Sequence, residues 1–208
     1  MKISLLTILA IVTSFTILVS GCSYKKNEYL RSESDEVKKI DRILWSSLGR
    51  YSTWGDYGTV LIHGLLNRDS NSRFLIVARS DTPKILVSRG SLIVNKELYQ
   101  KIRENYPSII FSQITKIVQK KIPWESWPNT SEPRVYPPTG DPYDYLYENY
   151  FPEVDRTNDW NLYCVEVCST VDFSFDGSKS YCSEDFYNFL LSISGDESCY
   201  LQGLALGN

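Results

Sequence analysis

The sequence predicts an α+β fold: one domain, an antiparallel sheet and about four helices, the layout expected when runs of strands and runs of helices segregate along a chain. Three observations predict it. The apolar runs TVLIHGLL (59–66), RFLIVARS (73–80) and KILVSRGSLIV (84–94) are short and separated by turn residues, as strands of a meander are. Stretches of helical period with capping residues stand on both sides of them. Of 208 residues, 15 are Tyr and 5 are Trp, which suits a strand-rich core, a binding surface, or both.

In chain order, EVKKIDRILWSSLGR (36–50) places Val37, Ile40, Ile43, Leu44 and Leu48 at helical spacing behind Ser34-Asp35, which predicts a first helix. TWGDYG (53–58) is turn-like, and NRDSNS and SDTP divide the three strands. NKELYQKIRENY (95–106) predicts a helix capped by Asn95. SIIFSQITKIVQKKI (108–122) sets Ile110, Ile114, Ile117 and Val118 on one helical face, with Pro107 where a helix opens, and predicts another. A proline- and aromatic-rich loop of little period then runs from 123 to 157, with a short helix expected inside DPYDYLYENY (141–150). Loops of that length usually carry function or are disordered. WNLYCVEVCSTVDFSF (160–175) predicts one or two strands, and SEDFYNFLLSIS (183–194) a helix capped by Ser183, with Glu184 and Asp185 in its first turn.

Ahead of this domain, Met1-Lys2 precede an uncharged apolar run over 3–19, the pattern of a secretory signal. A run of that length also competes as a membrane-spanning anchor. The boundary residues Val19-Ser20-Gly21-Cys22 resemble the lipobox of bacterial lipoproteins: an aliphatic residue, two small ones, then cysteine. The resemblance covers the first 22 residues only. It implies a signal peptide over 1–21, cleavage before Cys22, and a diacylglyceryl and acyl anchor on Cys22, with two or more chains giving stable membrane attachment. Residues 22–35 then read as a lipidated tether and 36–208 as the globular domain. Ser23, in place of Asp, implies the outer membrane under the sorting rule of enteric members of that family.

With Cys22 assigned to lipid, Cys164, Cys168, Cys182 and Cys199 remain, an even number in an exported chain, which predicts disulfides in the C-terminal part. If 161–168 is one strand, Cys164 and Cys168 stand about 13 Å apart and cannot pair, which leaves Cys164–Cys182 with Cys168–Cys199 or the crossed alternative. A four-thiolate metal site competes, but C-x3-C lacks zinc-knuckle spacing.

Charge is divided along the chain. Residues 23–121 carry a net of +8 and residues 122–208 a net of −12, within a whole-chain net of −3. The acidic part suits a cationic partner, the basic part an anionic membrane, and a net-acidic exported chain is a poor match for nucleic acid. The single histidine, His63, lies among apolar residues and reads as a core side chain; it leaves no room for a histidine-pair metal site. No nucleophile elbow is present. The candidate contact segment is therefore the aromatic loop: Trp124, Trp127, Tyr143, Asp144, Tyr145, Tyr147, Glu148 and Tyr150, since Tyr and Trp dominate binding hot spots. These observations predict a non-enzymatic, cofactor-free, metal-free lipoprotein that binds a protein partner, with immunity and exclusion lipoproteins as candidate subclasses. A structural or assembly lipoprotein is one alternative. A glycan-acting enzyme using a carboxylate pair from Asp141, Asp144, Glu148, Glu153 and Asp155 is another, and the same oxygens compete as calcium ligands, although no EF-hand loop is present.

Overall fold

The computed structural model describes residues 40–47, 53–68, 72–128, 130–131, 136, 139–147, 153–157 and 159–206. Cys22, Glu148, Tyr150 and the stretches 1–21 and 22–35, expected as signal peptide and tether, lie outside them, as do the side chains of residues 155–157. The described residues all belong to one unit, Val37–Asn208.

The fold is α+β. Among the described residues, thirteen strands form three sheets. The first, of five strands, has the order β10 (Cys168–Ser169), β11 (Phe173–Phe175), β12 (Ser180–Ser183), β1 (Ile40–Ser46), β13 (Leu201–Ala205). The second runs β2 (Leu65–Arg68), β3 (Arg73–Val77), β7 (Lys116–Lys120), β8 (Glu153–Thr157), and the third β4 (Ile85–Ser88), β5 (Ser91–Asn95), β9 (Leu162–Val165), β6 (Phe111–Gln113). Every pairing is antiparallel except β3 with β7. The helices are α1 (Asp56–His63), α2 (Lys96–Asn105), the single turn α3 (Asp144–Tyr147) and α4 (Glu184–Ser194).

Side-chain alternation stacks these sheets. On β4 and β5, Ile85, Val87, Leu92 and Val94 face Leu44, Phe173, Phe175 and Cys182 of the five-stranded sheet, with Leu98 and Ile102 of α2 and Phe186 and Leu190 of α4 closing that core. From the same two strands Leu86 and Ile93 point the other way, against Leu66, Leu75, Val77 and Ile117. The third sheet is thus a middle layer buried on both faces, which is why its strands read as unbroken apolar runs. The far face of the β2–β3–β7–β8 sheet presents Leu65, Ile76 and Val118 to α1 and to Trp124, Tyr145 and Leu146.

Several expected elements hold. Asn95 Oδ1 accepts from the Leu98 amide and opens α2; Ser183 Oγ accepts from Phe186 and opens α4. The run 73–80 contains strand β3 and 141–150 contains α3, whereas 84–94, expected as one strand, is the β4–β5 hairpin and lies in a different sheet from β3, so the three runs do not form one meander. Others are corrected. Within the expected helix 36–50, the described stretch Ile40–Ser46 is strand β1, which crosses the five-stranded sheet between β12 and β13. Residues 108–122 give β6 and β7 rather than a helix. TVLIHGLL is not one strand: Asp56–His63 is helical and only Leu65–Arg68 is extended.

The predicted disulfides are also corrected: Cys164, Cys168, Cys182 and Cys199 are all free thiols. Cys164 faces the core on one side of the middle sheet and Cys182 the core on the other. Cys168 pairs with Phe175 while Cys182 pairs with Phe173, so a whole strand separates them. Two strand spacings put their Cα atoms roughly 10 Å apart, beyond the ~7 Å limit of a bridge. Cys199 is exposed.

One side chain trims the open edge of the five-stranded sheet. Arg42 pairs with Glu184, its guanidinium lies over the Tyr187 ring, and its Nη1 donates to the Gly203 carbonyl at 3.0 Å. A cation capping a backbone acceptor on an edge strand discourages another strand from adding there.

Candidate functional site

The aromatic segment is mostly wall rather than surface. Pro123 cannot extend β7, and the next residues turn back over α1. Trp124 is 2% exposed, its indole N–H donates to the Ala78 carbonyl at 3.0 Å, and its ring meets Trp54 edge-on at 6.4 Å. Trp127 packs on Trp54 and on Tyr145, and Tyr145 is itself buried. Trp124 and Tyr145 are therefore core residues, which corrects their expected place in a contact surface; a fully buried ring in a two-layer core covers apolar sheet and meets no partner. Half-buried Asp144 begins α3, and Asp141 Oδ1 accepts from the Tyr143 amide, so that carboxylate shapes a turn. Of the predicted contact residues, Tyr143 and Tyr147 alone among those described are exposed, at 43% and 47%.

These two tyrosines lead to a cleft of about 270 Å³ where the three sheets meet. Leu44, Val60, Leu65 and Val87, all buried, supply its apolar floor. Trp45, 50% exposed on β1, forms one wall, and Tyr143 stands among the other lining residues. The β4–β5 turn contributes Ser88, Arg89 and Gly90, and the β11–β12 turn contributes Ser178 and Lys179. Sequence reasoning missed Trp45, Arg89 and Lys179, because nothing local says that four distant turns and strands converge. One signal was present: SRGS between two apolar runs is the two-residue loop of a hairpin.

That turn is held tightly. Arg89 has φ 49° and Gly90 φ 71°, the pair of positive values that a type I′ hairpin needs. A side chain at position 90 is impossible without movement: a Cβ there would stand 1.6 Å from the Ser178 carbonyl oxygen. Buried Ser180 donates from Oγ to the Gly90 carbonyl at 2.7 Å. Arg89 is fixed from outside. Its Nη1 donates to Asn67 Oδ1 at 3.0 Å and its Nη2 to Tyr147 Oη at 2.6 Å, while the Tyr147 hydroxyl donates to Asn67 Oδ1 at 2.8 Å.

At the back of the cleft, His63 is 1% exposed, as its apolar neighbours predict. Its Nε2 lies 2.8 Å from the Ser47 carbonyl, which can only accept, so Nε2 carries the proton and Nδ1 is the acceptor. Nδ1 is buried with no hydrogen-bond partner. Burial pushes the imidazole pKa down to about 4, with nearby Arg79 adding to the effect, so the ring is neutral at pH 7. Ser88 is engaged by the fold, its Oγ donating to the Gly64 carbonyl at 2.9 Å and accepting from the Leu66 amide at 3.0 Å.

The divided charge is in part spent internally. Arg42 with Glu184, Arg73 with Glu166 at 2.6 Å, and Lys120 with Glu153 at 2.6 Å each join the basic first part of the chain to the acidic second part. The buried Cys164 and Cys182 thiols are pushed up by desolvation, Cys182 to about 12, and stay protonated. Among the described residues, no three His, Cys, Asp or Glu side chains gather as metal ligands.

Compared with protein-family models, with curated proteins and with solved structures, the chain matches none of them.

Proposed function

We propose that this chain is a lipoprotein of the bacterial envelope, anchored through Cys22, whose folded part is a binding module for a protein partner. One observation carries the reading: Trp45 and Tyr143 stand half-exposed beside the same cleft, over a floor of buried aliphatic side chains. Large aromatics on a surface pocket are the anchors that protein interfaces use. Of the carboxylates offered for a glycan-cleaving pair, Asp141 shapes a turn and Glu153 pairs with Lys120. Within this reading, neutralising a toxin and excluding an invading element are the two proposed roles, each needing one tight partner.

The test is capture from the envelope and secreted fractions of the native organism, with the wild-type chain and a Trp45→Ser/Tyr143→Ser variant side by side. One stoichiometric protein held by the wild type and released by the variant is the expected result. No retained protein would overturn the module; equal retention by both would move its contact surface off the cleft. The anchor is tested separately: Cys22→Ser should shift the protein from the detergent phase to the aqueous phase, and an unchanged partition would refute lipidation.

A further inference from the structure

We propose that the cleft recognises the C-terminal residue of a polypeptide, its side chain on the aliphatic floor and its carboxylate at Arg89 and Lys179. This rests on the binding-module reading and adds the chemistry recognised.

Charge is the first argument. In a chain of net −3 whose second part is strongly acidic, the lining of the cleft contains no Asp or Glu among the described residues, and both of its charged residues, Arg89 and Lys179, are cations. The local sign is opposite to that of the whole chain, as complementarity to a carboxylate requires.

Preorganisation is the second. Arg89 occupies a left-handed conformation, φ 49°, that a hairpin of this type normally gives to Asn, Asp or Gly. Its guanidinium is locked by Asn67 and Tyr147 through one N–H on each terminal nitrogen. Three of its five N–H groups stay uncommitted. A fork held rigid before binding loses little entropy when a carboxylate docks on it.

The third argument is the unsatisfied acceptor. His63 Nδ1 lies buried without a partner on a residue lining the same cleft. A terminal residue carries three features on one Cα: a side chain, a carboxylate and an amide N–H. The floor, the two cations and Nδ1 answer them in turn. An internal Asp or Glu would put its carboxylate at the end of its own side chain and leave the floor to a neighbour. The volume, about 270 Å³, sits at the small end of ligand clefts and suits one residue rather than a long segment. Capture of a chain terminus by its carboxylate is one of the recurring modes of peptide recognition.

The experiment titrates the full chain, in detergent, with N-acetyl-Ala-Leu bearing a free carboxylate, with its carboxamide, and with N-acetyl-Ala-Gly, following the Trp45 indole and His63 ring signals by NMR. The acid should bind about tenfold or more tighter than the amide, a difference of one decade in Kd. The Gly dipeptide should bind more weakly than the Leu dipeptide. Arg89→Gln and, separately, Lys179→Gln should erase the preference for the acid; Lys179 is exposed, so its variant keeps the fold if the hairpin variant does not. Equal binding of acid and amide, a preference that survives in Lys179→Gln, or no shift at millimolar dipeptide would each overturn the inference. Competition separates the two proposals. A captured partner that excess free-acid dipeptide does not displace sinks terminus recognition and leaves the module standing; absence of any partner sinks the module, while the titration still decides the chemistry of the cleft.

Discussion

Replacing Gly90 by alanine tests whether the hairpin tip is pinned as described. At φ 71° an alanine is strained by about 1–2 kcal/mol from its left-handed backbone alone. The added methyl would stand 1.6 Å from the Ser178 carbonyl oxygen and 2.5 Å from its carbon, both backbone atoms that cannot rotate away. The β4–β5 turn and the β11–β12 turn must separate. That breaks the 2.7 Å bond from Ser180, whose hydroxyl lies in a fully buried residue and would lose its acceptor, at a further cost of about 1–3 kcal/mol. The sum is about 2–5 kcal/mol, or roughly a 4–20 °C fall in melting temperature for a unit of this size. Gly140→Ala is the internal control: φ is 76°, yet nothing lies within 4 Å of the new Cβ, so only the backbone strain remains. Urea unfolding of both variants, followed by tryptophan fluorescence and far-ultraviolet circular dichroism, gives the comparison. If Gly90→Ala costs no more than Gly140→Ala, the close approach to Ser178 is not real and the geometry of the cleft falls with it.

The remaining expectations concern pH, the aromatic wall and the thiols. His63 has a folded pKa of about 4 against an unfolded value near 6.5, so only the unfolded chain takes up a proton between these values; stability is complete above pH 6.5 and declines toward pH 4, by up to about 3 kcal/mol. Because it is the only histidine, His63→Phe should flatten that part of the stability profile, and a slope that persists would assign it elsewhere. Trp124→Ala should cost about 3–5 kcal/mol as a buried aromatic, whereas exposed Tyr143→Ala should stay within about 0.5 kcal/mol while weakening partner capture; similar costs in chemical denaturation would contradict their different burial. In a thiol-labelling time course on the native protein, exposed Cys199 should react first, and buried Cys164 and Cys182 only as the chain unfolds; absence of any reactive thiol after unfolding would restore the disulfides.

What the sequence made legible was local chemistry. Asn95 and Ser183 announced α2 and α4 because a cap is decided within four residues. The apolar, extended character of 84–94 was readable as well, but not that the run folds back on itself as β4 and β5. The failures share one cause. β7 lies between β3 and β8 and is buried at Ile117, Val118, Gln119 and Lys120, so alternation is absent and the spacing Ile114-Ile117-Val118 imitates a helix. α1 fails in reverse: Gly58, Val60, Leu61, Ile62 and His63 are all buried between the sheet and the aromatic wall, so the helix has no polar face to reveal its period. Of the site, Tyr143 and the buried character of His63 were readable, whereas Trp45, Arg89 and Lys179 converge only through sheet stacking. Trp124 and Tyr145 were misplaced because a tryptophan beside prolines looks the same whether it faces a partner or its own sheet.

The position of β1 has a consequence for how the molecule comes into being. The first strand of the folded unit takes both its neighbours from near the chain's end: Leu44 lies opposite Ser180 on one side and Gly203 on the other. A chain made from its N-terminus delivers IDRILWS long before those partners exist, so the five-stranded sheet closes last, and pairings this distant in sequence make for slow folding. Until then an apolar strand carrying Trp45 waits unpaired, the situation in which strands from separate chains associate. The same arrangement brings the unit's beginning and end together, with Arg42 opposite Ala205 and the Leu206 amide donating to the Asp41 carbonyl. A circular permutant that joins these ends and opens at an exposed turn keeps every strand pair, yet gives β1 its neighbour β13 at once, and should refold faster than the natural order of the chain.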